Sequence, residues 1–146
     1  MNIVEREAFK RDILQSLHCA LPCVVVSFDA AYQTVDVQPV FQFRESRSRS
    51  GSSSLIDYPL LRDVPVFFPG TRQSGITWMV QPGDECLVIF ADSAIDRWFD
   101  SGEKSEERKD RFHDLSDAFA FVGFRSRPNR LQDFPEQPSF FGGDPP

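Results

Sequence analysis

The chain has 146 residues, with 22 acidic and 16 basic side chains, and its formal net charge is −6. That length predicts one domain with short appendages. The acidic balance argues against a protein whose main task is to hold nucleic acid, because such a protein needs a cationic surface. No apolar run is long enough to span a bilayer, so we expect no stable membrane association.

The three cysteines do not suggest a disulfide framework, because their number is odd and Cys86 lies within an apolar run. We therefore expect the protein to fold in a reducing compartment. Residues 1–12 alternate charged and apolar side chains without an apolar stretch, so no signal peptide is expected. These features predict synthesis and folding in a cytosol.

Residues 3–17 have the apolar spacing of a helix. Phe9, Ile13 and Leu17 are four residues apart and share one helix face. Two interpretations remain open, since the helix could pack on its own domain or dock on a neighbouring subunit. Leu21-Pro22 ends it.

Short strands separated by turns are predicted along most of the remaining chain. They lie at residues 23–28, 34–43, 64–70, 76–80 and 86–91, and in the aromatic run that ends at Phe124. The run at 86–91 follows the turn Pro82-Gly83 and is interpreted as a central strand buried on both faces. In the second strand Val35, Val37, Phe41 and Phe43 share one face, and Pro39 interrupts it at an edge or bulge.

Two segments between the strands have distinct compositions. Residues 44–54 are rich in Arg and Ser, which predicts a mobile hairpin loop. Residues 93–99 predict a short helix that ends at Gly102, with Ile95, Trp98 and Phe99 covering an open barrel end.

These elements predict a mainly β fold, a small five- to six-stranded antiparallel barrel of the OB type. An N-terminal helix precedes it, and a short helix lies between late strands. The predicted organisation is an N-terminal helix at 1–19, a barrel domain at 20–125 and an extended Pro-rich tail at 126–146.

No segment of the sequence makes a convincing catalytic site. His113, Asp114 and Asp117 resemble ligands of a metal-dependent hydrolase, but such a site needs further histidines and only His18 is left. The simpler interpretation is a turn that Asp114 or Ser116 caps, with His113 hydrogen-bonded beside it.

A zinc site is a second weak hypothesis. His18, Cys19 and Cys23 would supply three ligands, and no fourth is evident. We therefore predict neither a catalytic residue nor a metal or other cofactor.

Five stretches resemble one protein family when they are taken together: LPCVVVSFDAAYQTVDVQPV (21–40), LLRDVPVFFPG (60–70), QPGDECLVIFAD (81–92), DRWFDSG (96–102) and RFHDLSDAFAFVGF (111–124). They are similar to the N-terminal OB-fold domain of the central spike, or membrane-piercing needle, proteins of contractile-tailed bacteriophages and related injection systems. The resemblance covers about residues 20–125, and PGDECLVIF and HDLSDA are its most specific parts.

The resemblance implies a virion protein of the tail baseplate, assembled in the host cytoplasm as a homotrimer on the tail axis. A hub protein would lie above it. Family members continue into a triple-stranded β-helix with an iron-binding tip, whereas this sequence has no such repeats and no histidine pair. We therefore expect a hub-to-tip adaptor or plug with a separate spike-tip protein below it, and transfer no metal site.

Obligate interfaces are large and apolar, which would account for 15 phenylalanines in a modest domain. The predicted subunit-interface residues are Trp98, Phe99, Phe112, Phe119, Phe134, Phe140 and Phe141. The alternative functions are an OB-fold module that binds single-stranded nucleic acid and a small metal-dependent hydrolase.

Overall fold

The computed structural model describes residues 1–46, 51 and 53–137. In chain order, the elements are α1 (Ile3–Ser16), β1 (Ala20–Asp29), β2 (Thr34–Pro39), β3 (Gln42–Ser46), β4 (Ser53–Asp57), β5 (Leu61–Pro65), β6 (Glu85–Phe90), α2 (Asp96–Ser101), β7 (Ala118–Val122) and a 3₁₀ turn (Arg127–Asn129). Residues 47–50 and 52 of the predicted Arg/Ser loop and residues 138–146 of the predicted tail lie outside the described residues.

Five antiparallel strands form a curled half-barrel in the order β5-β2-β1-β6-β7. The register of β1 against β2 shifts between Val25 and Ser27, and such irregularities increase local twist. The curl brings the two edge strands together, since the Phe67 N–H, just beyond β5, donates to the Ala120 carbonyl of β7 at 3.0 Å. The mainly β prediction, with one helix before the sheet and one between late strands, is confirmed.

The core consists mostly of small and medium side chains. Its buried members are Leu21, Cys23, Val25, Val35, Val37, Leu61, Val64, Val80, Cys86, Val88, Phe90, Ala118 and Ala120. In β6, Cys86, Val88 and Phe90 are buried, whereas Ile89 is exposed. The prediction that this strand is buried on both faces is therefore wrong. It is an inner strand of the sheet, but β1 is the middle one.

The second predicted strand is divided in two. Val35 and Val37 are buried as predicted, but β2 ends at Pro39, and β3 begins at Gln42 as half of a hairpin with β4. Phe41 and Phe43 are exposed, so they do not share the buried face of Val35 and Val37. The predicted interruption at Pro39 is confirmed. The strand ends there because a proline has no N–H to donate to a further ladder of hydrogen bonds.

Three further strand predictions differ from the structure. The strand predicted at 64–70 is β5, which spans Leu61–Pro65. Pro22 lies inside β1 and does not precede it. The Pro22 carbonyl accepts a hydrogen bond from the Val40 N–H at 3.1 Å. Val40 lies just past the last residue of β2, so the pairing of β1 with β2 does not need the N–H that Pro22 lacks. Residues 76–80 form no strand, and of these only Val80 is buried in the core.

Helix α1 extends from the barrel without packing on it. Asn2 and Glu5 form a capping box at its start, which satisfies two backbone N–H groups. None of its residues is buried, and Phe9, Ile13 and Leu17 are all exposed. The interpretation that this helix packs on its own barrel is therefore wrong.

Helix α2 (Asp96–Ser101) overlaps the short helix predicted at 93–99 but begins and ends later. It ends at Gly102, whose φ of 72° is left-handed and whose N–H donates to the Trp98 carbonyl. Neither α1 nor α2, the two α-helices of the described residues, is long and apolar enough to cross a membrane.

We predict that the barrel interior at β7 accepts no larger side chain. Ala120 is fully buried, so Ala120→Leu should lower the free energy of unfolding by about 2 kcal/mol through overpacking. The neighbouring side chain of Phe121 is only partly buried, and Phe121→Leu should cost about 1 kcal/mol or less. Urea unfolding measures both. A larger loss in Phe121→Leu than in Ala120→Leu would contradict the inward assignment of Ala120.

Candidate interaction surface

An apolar groove of about 400 Å³ lies on the outside of the barrel, where β5, β6 and β7 meet α2. Its lining consists of Pro65, Val66, Phe67, Ile89, Trp98, Phe119 and Phe121. We call it the aromatic groove. Two pairs of rings organise it, since the Phe67 and Phe121 centroids are 5.2 Å apart and those of Trp98 and Phe119 are 5.7 Å apart.

The alternation of β7 explains why aromatic rings lie on the outer face. Ala118 and Ala120 point into the barrel, so Phe119 and Phe121 must point away from it. In the antiparallel register Phe119 lies opposite Ile89 of β6. The strand thus places its small side chains inside and its large ones outside, the reverse of an ordinary half-buried strand.

The aromatic groove is apolar and open to solvent. Phe67 is 51% exposed and Trp98 is 49% exposed, although each contacts another ring. No lining residue is charged. Contiguous apolar surface of this kind is typical of sites where another macromolecule binds.

The predicted interface residues fall in different places. Trp98 and Phe119 are brought together in the aromatic groove, whereas Phe99 lines a separate depression beside Ile95 and Asp96. Phe112 and Phe134 are exposed, at 53% and 76%, and neither lines the aromatic groove. Phe140 and Phe141 lie outside the described residues.

Phe67, Ile89 and Phe121 complete the groove and were not among the predicted interface residues. A sequence signal existed for Phe121, because it is two residues from Phe119 and so shares its face of a strand. Nothing comparable identified Phe67, which reaches the groove only because the sheet curls.

A buried carboxylate holds the corner that precedes β7. Asp117 is fully buried, and its two oxygens accept from Nε and Nη2 of Arg111 at 2.7 and 2.6 Å. The Ile95 N–H, just before α2, donates to the same carboxylate at 3.0 Å. Asp117 and the second acidic partner, Asp96, raise the pKa of the Arg111 guanidinium. This corner therefore orients Trp98 on α2 relative to Phe119 on β7.

The same geometry bears on the hydrolase hypothesis. The Asp117 carboxylate is engaged by Arg111, and Nδ1–H of His113 donates to the His18 carbonyl at 3.0 Å. The Ser116 N–H donates to Asp114 at 2.8 Å, which also holds the pKa of that carboxyl below its usual value. The interpretation of residues 113–116 as a capped turn beside a hydrogen-bonded histidine is confirmed.

The structure does not gather the three residues of the zinc hypothesis. Cys19 is exposed before β1, whereas Cys23 is buried inside the barrel beside Cys86. Across the described residues, no group of three or more His, Cys, Asp or Glu side chains could hold a metal ion.

Most of the chain matches the model of a known protein family. The model described as phage protein Gp138 N-terminal domain matches residues 21–123. The chain belongs to this family. The match spans β1 to the end of β7, and so includes the aromatic groove and the buried corner. A search of curated proteins finds no match.

Membership of the Gp138 N-terminal domain family supports a structural role in a bacteriophage and association with the virion. It therefore agrees with the broader part of the resemblance noted from the sequence. The family description names neither the baseplate nor a spike.

We predict that the Asp117 carboxylate is essential to the stability of this corner. Asp117→Ala leaves Arg111 without its buried partner and should lower the free energy of unfolding by about 3 kcal/mol. The matched control is Asp110→Ala, which breaks an exposed pair with Arg108 and should leave the denaturation midpoint unchanged. Equal midpoints for the two variants would show that the corner is not stabilised in this way.

Proposed function

We propose that the protein is a structural component of a phage tail baseplate and acts without catalytic turnover. It forms a homotrimer on the tail axis as a central spike or hub-to-tip adaptor, which carries or plugs the device that pierces the cell envelope. A hub protein binds above it and a separate tip protein binds below it. The aromatic groove is the observation that carries the self-association in this proposal.

The groove supports binding to another protein, because the free energy gained by covering its apolar surface is greatest when the covering surface is also apolar. Burial of apolar area is favourable by about 25 cal/mol per Å², and aromatic side chains bury the largest areas. Interface cores are enriched in Phe and Trp and depleted in charged residues, as the groove lining is.

The strand order supports the OB-type element of the proposal. In sequence order the five barrel strands are β1, β2, β5, β6 and β7, with β1 in the middle of the sheet. Val66, which follows β5, and Ala120 of β7 form a parallel bridge, so the two edges approach as in a partly open barrel.

The uncovered helix α1 fits the same assembly. A helix of 14 residues is only marginally stable alone in water, and most helices in proteins are stabilised by packing. In the proposed trimer, Phe9, Ile13 and Leu17 pack on a neighbouring subunit. Each subunit would then cover surface that its own barrel leaves exposed.

The alternative of a single-stranded nucleic-acid module needs cationic residues beside its stacking rings. The aromatic groove has no Lys or Arg in its lining, and the whole chain is acidic. An oligonucleotide retained at low salt and released as salt rises would favour this alternative over the proposal.

We predict that the purified full chain is a trimer that depends on the aromatic groove. Phe121→Glu places a charge beside Phe67 and should shift the mass from trimer to monomer, because an unpaired charge opposes burial. Light scattering coupled to gel filtration measures the mass, and circular dichroism checks that each variant is folded.

The matched control is Tyr32→Glu, since Tyr32 is an aromatic residue that is 79% exposed outside the groove. This variant should remain trimeric. A wild-type chain that is monomeric at all concentrations would overturn the proposed trimer. A folded Phe121→Glu variant that stays trimeric would overturn the role of the groove alone.

A further inference from the structure

Two buried thiols face each other at the centre of the half-barrel. Cys23 of β1 lies directly opposite Cys86 of β6 in the antiparallel register. Both side chains point into the core, where they are 1% and 2% exposed. The Cys86 thiol donates to the Cys23 carbonyl at 3.5 Å, and the Cys23 thiol donates to the Leu21 carbonyl at 3.6 Å. Both cysteines are reduced in this structure.

Their register places the two backbones at a distance that a disulfide can span. The Val25 N–H donates to the Asp84 carbonyl, and the Phe90 N–H donates to the Cys19 carbonyl. Hydrogen-bonded pairs recur at every second residue, so Cys23 and Cys86 are also a pair of this kind. Their Cα atoms are then about 5.5 Å apart, within the range of natural disulfides.

A second groove lies next to this pair. It has a volume of about 420 Å³ and lies where β1 and β6 meet the residues just after β7. Its lining is Pro22, Cys23, Val40, Glu85, Cys86, Phe124, Arg125 and Ser126. Because both cysteine side chains are almost fully buried, a small uncharged oxidant in this groove would reach the sulfur atoms through a local opening of the groove wall.

We propose that Cys23 and Cys86 form an oxidisable cross-strand pair, which a small peroxide converts to an intramolecular disulfide. In the first step the Cys86 sulfur attacks hydrogen peroxide and becomes a sulfenic acid, with release of one water. In the second step the Cys23 sulfur displaces the hydroxyl group, the S–S bond forms, and a second water leaves. Two thiols are oxidised and one peroxide is reduced.

The environment of the two groups favours this order of attack. The adjacent Cys86 side chain and burial raise the pKa of the Cys23 thiol, whereas the adjacent Cys23 side chain lowers the pKa of the Cys86 thiol. The thiolate is the more nucleophilic form, so Cys86 reacts first. The bridge would join two neighbouring strands of the sheet, and it would restrict the unfolded chain between residues far apart in sequence.

The bridge should also be easy to reduce. The Cβ atoms of a hydrogen-bonded pair are about 5 Å apart, whereas a relaxed disulfide needs about 3.8 Å. Closing that gap strains the bridge, and strained disulfides have more oxidising potentials. We therefore expect formation under peroxide and reversal by a mild thiol such as glutathione.

The test uses the full chain with Cys19→Ser, because the exposed thiol of Cys19 would otherwise link separate molecules. The folded protein is treated with hydrogen peroxide, quenched, unfolded and alkylated, and then analysed by peptide mapping without reduction. We expect a Cys23–Cys86 linked peptide, loss of alkylation at both sites and a higher thermal midpoint. Glutathione should restore both thiols and the original midpoint.

The matched control adds Cys86→Ala to the same background and should show no linked peptide and no rise in midpoint. The proposal is overturned if both thiols remain alkylated after peroxide, or if only sulfinic or sulfonic products appear. It is also overturned if the link forms only when the protein is unfolded before oxidation. None of these outcomes depends on whether the chain is a trimer.

Discussion

The narrow interior of the half-barrel is the constraint from which the other features follow. Five strongly curled strands leave space for Val, Ala, Cys and Leu, and of the phenylalanines in the described residues only Phe90 is buried. Interiors are close-packed and tolerate little extra volume. The other phenylalanines of the described residues are therefore partly or largely exposed, and β7 shows how, with alanines inside and phenylalanines outside.

The sequence predicted where the helices and strands lie better than it predicted which of their faces are buried. Both helices and the strands β1, β2, β6 and β7 were recognisable because turn residues and apolar periodicity mark their limits. The strand predicted at 64–70 overlaps β5 only at Val64 and Pro65. Period-two alternation divides a strand into two faces but does not say which one is buried. The usual assumption that large apolar residues are inside fails at Phe119 and Phe121, and residues 76–80 contribute only Val80 to the core without pairing as a strand.

The site depends on long-range contacts that composition and spacing do not encode. Trp98 and Phe119 were predicted as interface residues, but their contact requires the corner in which Asp117 binds Arg111 and the Ile95 N–H. A buried carboxylate is tolerated only when partners satisfy its oxygens. The sequence showed an acidic turn at this point, and only the fold shows that the turn positions α2 against β7.

The distribution of charge is the reason for which we propose a protein partner, and not a nucleic acid, for the aromatic groove. The depression around Phe99 includes Arg62, Asp63 and Asp96, whereas the aromatic groove has no charged residue in its lining. A base stacked on Phe119 or Phe121 would bring its phosphate to a surface with no cation to receive it. A second apolar protein surface needs no cation, and covering the groove with it removes apolar area from water on both sides, which is why we propose association between subunits here.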